Sequence, residues 1–329
     1  MRIGKNPNIH KELELMEASH RVIIPVYIPN SEGYFEGGFK VFKVCMQSLL
    51  KSINEDTKIS IISNASSSEV NQYIEEMFDQ GLIDRAIFNS DNVGKMNAIV
   101  AETRASFEEF ITYADADVFF DKGWLFQTYT MFKEVPKAGF VSMNPTPNNL
   151  TMAHSTVLAN LWRVLKSKQK TSDVCNYNDL EHFHKSIGRD TAFTDSMFHK
   201  GHVICVGNNY IIGAGHFCCT IRKTPTLSHT PVYKSNIGVS GGSENKYLDI
   251  PFDKTGLWRL SSPKAYVWHM GNVLDGEWAS NKLSSLEGFK EKSFTFGELP
   301  FRRSVLISSA IPYNIKSKLV SLAKKLKLV

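Results

Sequence analysis

No apolar run in this 329-residue chain approaches the roughly 18–20 residues that crossing a bilayer requires. The first twenty residues, MRIGKNPNIHKELELMEASH, lack the apolar segment of a secretory signal, so a cytoplasmic chain is expected. Cysteine is scarce. Cys45, Cys175, Cys205, Cys218 and Cys219 are odd in number, scattered and free of CxxC spacing, which argues against a disulfide scaffold or a zinc site and for buried thiols. Internal repeats and low-complexity tracts are missing. A basic face is missing too. The net charge is +5, but residues 315–329 hold five lysines and no acid; without them 33 basic side chains balance 33 acidic ones. The excess charge belongs to a tail, and nucleic-acid binding is not expected.

What is present is an ordinary globular composition, 42% hydrophobic and 22% charged. His20–Pro29 (HRVIIPVYIP) opens with the β-branched run of a strand buried on both faces. Helical spacing follows at 39–53, then a strand at 58–63. A helix at 68–80 comes next, with a serine-rich start able to cap it, then a strand at 83–88 and a helix at 92–107. Strands at 110–113 and 138–143 flank a helix at 124–132. This alternation predicts an α/β fold with a mixed, mostly parallel sheet and helices on both faces. Residues 148–208 are polar and read as an insertion that covers a site. Residues 210–222, 257–261 and 264–269 return to strand texture. A single domain over 1–300 is expected, with a nucleotide-binding half at 20–147 and an acceptor-side half at 148–300, followed by a tail at 301–329.

TYADADVFF places Asp115 and Asp117 two apart after an apolar strand. On a strand that spacing turns both carboxylates to one side while Ala116 faces away. Open α/β sheets bind ligands at the carboxyl ends of their strands. Two carboxylates leave most of a hard cation's coordination sites to water and phosphate oxygens, which suits Mg²⁺ or Mn²⁺.

At this point the chain resembles glycosyltransferases of the GT-A fold, closest to family 2, with a Rossmann-like sheet. HRVIIPVYIP resembles the family's opening strand, whose Pro-x-Tyr segment (Pro25, Tyr27) lies under the nucleotide. IISNASSSEV resembles the second strand with its base-recognising turn, here Asn64. DNVGKMNAI resembles the helix start near the base and diphosphate, here Asn92, Gly94 and Lys95. YADADVFF resembles the metal-binding DxD, and PKAYVWHMGN the late strand ending in a further metal ligand, here His269. These matches run in order from His20 to Asn272. The resemblance implies a nucleotide-sugar donor, a glycan or lipid-linked acceptor in surface polysaccharide synthesis, and a divalent metal.

An inverting transfer needs a carboxylate base, and the family carries a Glu-Asp pair before its late strands. An ungapped count puts Glu244-Asn245 there. A gap of about one helical turn puts Leu248-Asp249 there, with Asp253 four residues on. Asp249 is the preferred base and Glu244 the runner-up; otherwise Asp249 caps the PFDKTG helix. GAGHFCCTIRK offers His216 and Arg222 as acceptor-side residues, because glycines let backbone approach a sugar closely. On a helical wheel Ile315, Leu319, Leu322, Leu326 and Val329 share one face with lysines on the flanks and back, a pattern that suits peripheral contact with an anionic membrane. Two competing readings are a non-catalytic glycan-binding scaffold and a sugar-phosphate nucleotidyltransferase.

Overall fold

This computed structural model describes residues 3–5, 9, 19–147, 150–166, 168–238, 242–294 and 311–325. The strands are β1 (His20–Val26), β2 (Thr57–Asn64), β3 (Arg85–Asn89), β4 (Phe110–Ala114), β5 (Val118–Phe120), β6 (Ala138–Ser142), β7 (Lys168–Lys170), β8 (His202–Val206), β9 (Tyr210–Ile212), β10 (Cys218–Arg222), β11 (Trp258–Ser261) and β12 (Val267–His269). Ten form one sheet in the order β3-β2-β1-β4-β10-β6-β11-β9-β8-β7, while β5 and β12 pair separately. β10, β9 and β7 run against the other seven, so the sheet is mixed and mostly parallel. Four helices cover its first half: α1 (Gly38–Ser52), α2 (Ser68–Asp79), α3 (Lys95–Ala105) and α4 (Trp124–Glu134).

The β-branched run of β1 has the burial its composition demands. Val22, Ile23 and Ile24 are fully buried; Val22 and Ile24 join one core cluster and Ile23 another, so the strand separates two packed layers. β1 is also the sheet's switch point. Successive strands run outward to β2 and β3, and then the chain crosses back to lay β4 on the other side of β1. Connections leaving β1 and β4 part company there and open a crevice at the strands' carboxyl ends. Pro25 fits this split. The β1–β4 ladder stops at Ile23↔Tyr113, while the β1–β2 ladder continues to Val26↔Ser63. A residue without an N–H therefore sits where one side of the strand has no ladder to serve.

Three expectations are corrected. The serines before α2 do not cap it: Ser67 at the N-cap makes no side-chain bond to the helix. They tie the turn to β1 instead, through Ser66 Oγ accepting from the Ile28 amide (3.1 Å) and the Ser67 amide bonding the Ile28 carbonyl (2.8 Å). The polar stretch from 148 is more than a cover. Its short helices bury Cys175 and Leu180 against Val203, Cys205 and Ile211, and its β7 and β8 extend the sheet. The C-terminal helix Tyr313–Lys325 is docked on the domain, and Lys316 is not on a solvated flank: it is 1% exposed, with its Nζ 2.7 Å from Asp253 Oδ2 and from Ser155 Oγ. Leu326 and Val329 lie outside the described residues. All five cysteines are buried and free, as their spacing implied.

Candidate active site

A cleft of about 1070 Å³ opens at the switch point. Pro25 and Tyr27 from the end of β1, Asn64 from β2, Asn92, Gly94 and Lys95 from the start of α3, Asp115 and Asp117 after β4, and His269 from β12 all line it. Sequence reasoning thus brought nine residues to one place. It missed four further walls: Tyr34, Phe35 and Gly38 after β1, Ser186–Gly188 from the polar stretch, Ser235–Gly238, and Gly271–Asn272. The signals for them were weak, a Gly after a helix and a Gly/Ser-rich loop.

Asn64 is 3% exposed and spends its amide inside the protein. Its Nδ2 donates to Asn92 Oδ1 (2.7 Å), and its Oδ1 accepts from the Val93 amide (3.0 Å) and from Asn89 Nδ2 (3.3 Å). Asn92 Oδ1 also accepts from the Gly94 amide at 2.9 Å. This network bends the chain through Gly94, whose φ of 87° suits glycine, and delivers Lys95 as the first residue of α3. A helix N-terminus with a lysine beside it is a place for an anion.

The aspartates converge by a different route from the one expected. β4 ends at Ala114, and residues 115–117 form a turn rather than strand. The Asp115 amide bonds the Phe217 carbonyl (2.8 Å), and the Met270 amide bonds the Asp117 carbonyl (2.8 Å), so two neighbouring segments shape the turn. Ala116 does not face away; it lines the same cleft. The carboxylates also have unequal surroundings. Asp115 Oδ1 is ion-paired with Lys95 Nζ. Burial alone would lower the Lys95 ammonium's pKa, but Asp115, with Glu244 behind it, holds it above its ordinary value. Asp117 Oδ2 stands 3.4 Å from His269 Nε2, and Asp117 Oδ1 is buried with no hydrogen-bond partner. Burial pushes the Asp117 carboxyl up to about 6; His269 opposes the shift and Asp115 adds to it.

Among the described residues no group of three or more His, Cys, Asp or Glu side chains is arranged to hold a metal ion by itself. The donor set still fits a hard cation whose other ligands are phosphate and water. An orphaned buried carboxylate oxygen calls for positive charge, and a histidine nitrogen faces the same carboxylate.

The acceptor-side expectations are redrawn. Arg222 lies at the wrong end of the sheet. It pairs with Phe110 at the start of β4, whereas Cys218 pairs with Ala114 at the cleft end. It is 1% exposed, bonded to Glu109 Oε1 (2.8 Å), and lies over Phe110 and Phe132. Asp249 is 1% exposed and held by Arg259 Nη1 and, at 2.6 Å, by His216 Nε2. Burial pushes its carboxyl up, but Arg259 and then His216 outweigh that and hold it at about 2, too weak a base and too enclosed for an acceptor hydroxyl. It makes no side-chain cap to the helix that follows. His216 is thereby occupied as well. Glu244 remains: half-buried, accepting from the Ser243 hydroxyl at 3.0 Å, and near enough to influence Lys95.

A crevice at the switch point of a mostly parallel sheet, with a helix N-terminus and a lysine inside it, is where an open α/β sheet takes an anionic ligand. The chain belongs to glycosyl transferase family 2, whose model matches residues 22–193, and its fold is the GT-A fold. No individual curated protein matches its sequence. Among solved structures it is similar to the mannosyltransferase PcManGT of Pyrobaculum calidifontis in complex with GDP-Man and Mn²⁺, at 12% identity and a TM-score of 0.42, covering 74% of this chain and 54% of that one. It is also similar to S. aureus TarS 1–349 in complex with UDP-GlcNAc, at 17% identity and a TM-score of 0.32, covering 39% of this chain and 34% of that one. This chain thus spans about half the length of the first and a third of the second.

Proposed function

We propose that this protein is a metal-dependent, inverting glycosyltransferase that moves a sugar from a nucleotide-sugar donor to a glycan or lipid-linked acceptor in surface polysaccharide synthesis. The observation that carries the reading is the orphaned Asp117 oxygen beside the Lys95–Asp115 pair, inside the switch-point cleft. Residues 20–147 hold the donor and residues 148–300 present the acceptor. Pro25 and Tyr27 lie under the nucleotide. Asn64 and Asn92 hold the loop that brings Gly94 and Lys95 to the diphosphate. Asp117, His269 and Asp115 would hold Mg²⁺ or Mn²⁺, which neutralises charge developing on the nucleoside diphosphate as it leaves. Lys95 adds a positive charge on the same side. Glu244 takes the proton of the acceptor hydroxyl; that oxygen bonds the anomeric carbon as the bond to the diphosphate breaks.

The C-terminal helix supports peripheral contact with an anionic membrane. Its docked face carries Lys316 and Val320, which leaves Ile315, Leu319 and Leu322 exposed together with Lys318 and Lys325. No helix of the described residues is long and apolar enough to cross a membrane.

Turnover of a panel of nucleotide sugars with Mn²⁺ tests the chemistry. Metal-dependent release of the nucleoside diphosphate is expected. Absence of both turnover and nucleotide binding would favour a scaffold, and pyrophosphate release from a nucleoside triphosphate plus sugar phosphate would favour a nucleotidyltransferase. Co-sedimentation with phosphatidylglycerol vesicles tests the tail: the triple variant Ile315→Ser, Leu319→Ser, Leu322→Ser should stay in solution, and unchanged binding refutes the contact.

A further inference from the structure

We infer that Ser186, at the end of the Tyr177–Ser186 helix, is a positioning residue that fixes the His269 imidazole in the tautomer able to bind a cation. The inference rests on the metal reading above and adds a residue that the family motifs did not include. Ser186 Oγ donates its one proton to the Phe183 carbonyl (2.7 Å). Its lone pairs remain, and the His269 Nδ1 lies 3.0 Å away. Oγ has no second proton to give, so Nδ1 must donate to it. In the neutral form of the ring Nδ1 then carries the hydrogen, and the Nε2 lone pair points at Asp117. The 3.4 Å between Nε2 and Asp117 Oδ2 is longer than an ordinary hydrogen bond. Two electron-rich atoms held face to face at that spacing are satisfied by a cation between them.

The rest of the helix reinforces this. His182 Nε2 bonds the His269 carbonyl (3.1 Å), and the rings of Phe183 and Phe217 stand edge-on to the His269 ring at 6.2 and 5.4 Å. Gly271 has a φ of 71°, and a Cβ there would come within 2.9 Å of the Ser186 carbonyl, so β12 and this helix end are closely seated. The imidazole therefore has its ring plane set by packing and its proton set by Ser186.

Two measurements test this on the full chain. Nitrogen-15 chemical shifts of the His269 ring in the metal-free protein should report Nδ1–H in wild type and a mixed population in Ser186→Ala, with Ser186→Thr restoring the first state. Titration with Mn²⁺ followed by electron paramagnetic resonance should show Ser186→Ala binding about tenfold more weakly at unchanged Tm. In a His269→Ala background the serine change should add nothing. Wild-type-like Mn²⁺ affinity in Ser186→Ala, or an effect undiminished by His269→Ala, overturns the inference alone. A wild-type protein that binds no Mn²⁺ overturns the metal reading and this inference with it.

Discussion

Two pairs of aspartates in this chain are alike on paper and opposite in practice. Asp115 and Asp117 lie in a turn after β4; Asp249 and Asp253 lie on a helix ahead of β11. In the second pair each carboxylate has a cation against it, although Asp249 Oδ2, like Asp117 Oδ1, is buried without a hydrogen bond. Arg259 and His216 hold Asp249, and Lys316 and the Ser155 amide (2.7 Å) hold Asp253. In the first pair only Asp115 has a full partner, while Asp117 keeps a buried oxygen with none. Carboxylates that share a residue type and a short spacing become a clasp between elements where cations from distant segments reach them, and a binding site where they do not. The base assignment follows from the same contrast, because Asp249 is spent as a clasp and the role passes to Glu244.

The contrast breaks most sharply at Asp117. Asp117→Asn should lower kcat by about a thousandfold or more. Without metal at neutral pH it should not lower Tm, since the change removes a buried charge whose desolvation outweighs the help of its neighbours. A large loss of Tm would return Asp117 to the structural class. Asp249→Ala should do the reverse. Breaking a buried pair and leaving Arg259 unanswered costs about 3–5 kcal/mol of stability in denaturant unfolding, with activity falling only as the folded fraction falls. Glu244→Gln should reduce kcat about a hundredfold while sparing Mn²⁺ binding and Tm. Retained activity in that variant, read together with a folded and inactive Asp249→Asn, would restore Asp249 as the base.

The smallest effect is a pair of opposite pH slopes. The folded pKa of Asp117 is about 6, above its ordinary 3.8. The native state therefore holds more protons than the unfolded chain between those values, and the metal-free protein should lose stability from this group as pH rises from about 4 to 6. The folded pKa of Asp249 is about 2, below 3.8. Its contribution is present above 3.8 and lost as pH falls toward 2. Denaturant titrations of wild type against Asp117→Asn and Asp249→Asn at each pH separate the two slopes. Equal slopes would mean that the two carboxylates share one kind of environment.

The donor side was legible because each of its parts is a short continuous stretch at the end of a strand or the start of a helix. The β-branched run of β1 fixed the buried centre, and Asn92 through Lys95 carried their own turn and helix start. Arg222 was misplaced because strand direction is not written in GAGHFCCTIRK. Only antiparallel pairing with β4 carries that arginine away from the cleft and toward Glu109, more than a hundred residues earlier in the chain. Ser186 gave no signal, because its partner His269 is 83 residues away and their meeting depends on how a polar helix packs beside β12.

The sequence by itself determined the alternation of elements, the buried character of β1, and a carboxylate pair and a helix-starting lysine at the ends of their elements. Periodicity, β-branching and local turn chemistry act over a few residues and need no distant partner. The tertiary structure alone decided which acids are neutralised. A carboxylate's role depends on the charges and donors within a few ångströms of it, and here Arg259, His216 and Lys316 come from segments that only folding brings together.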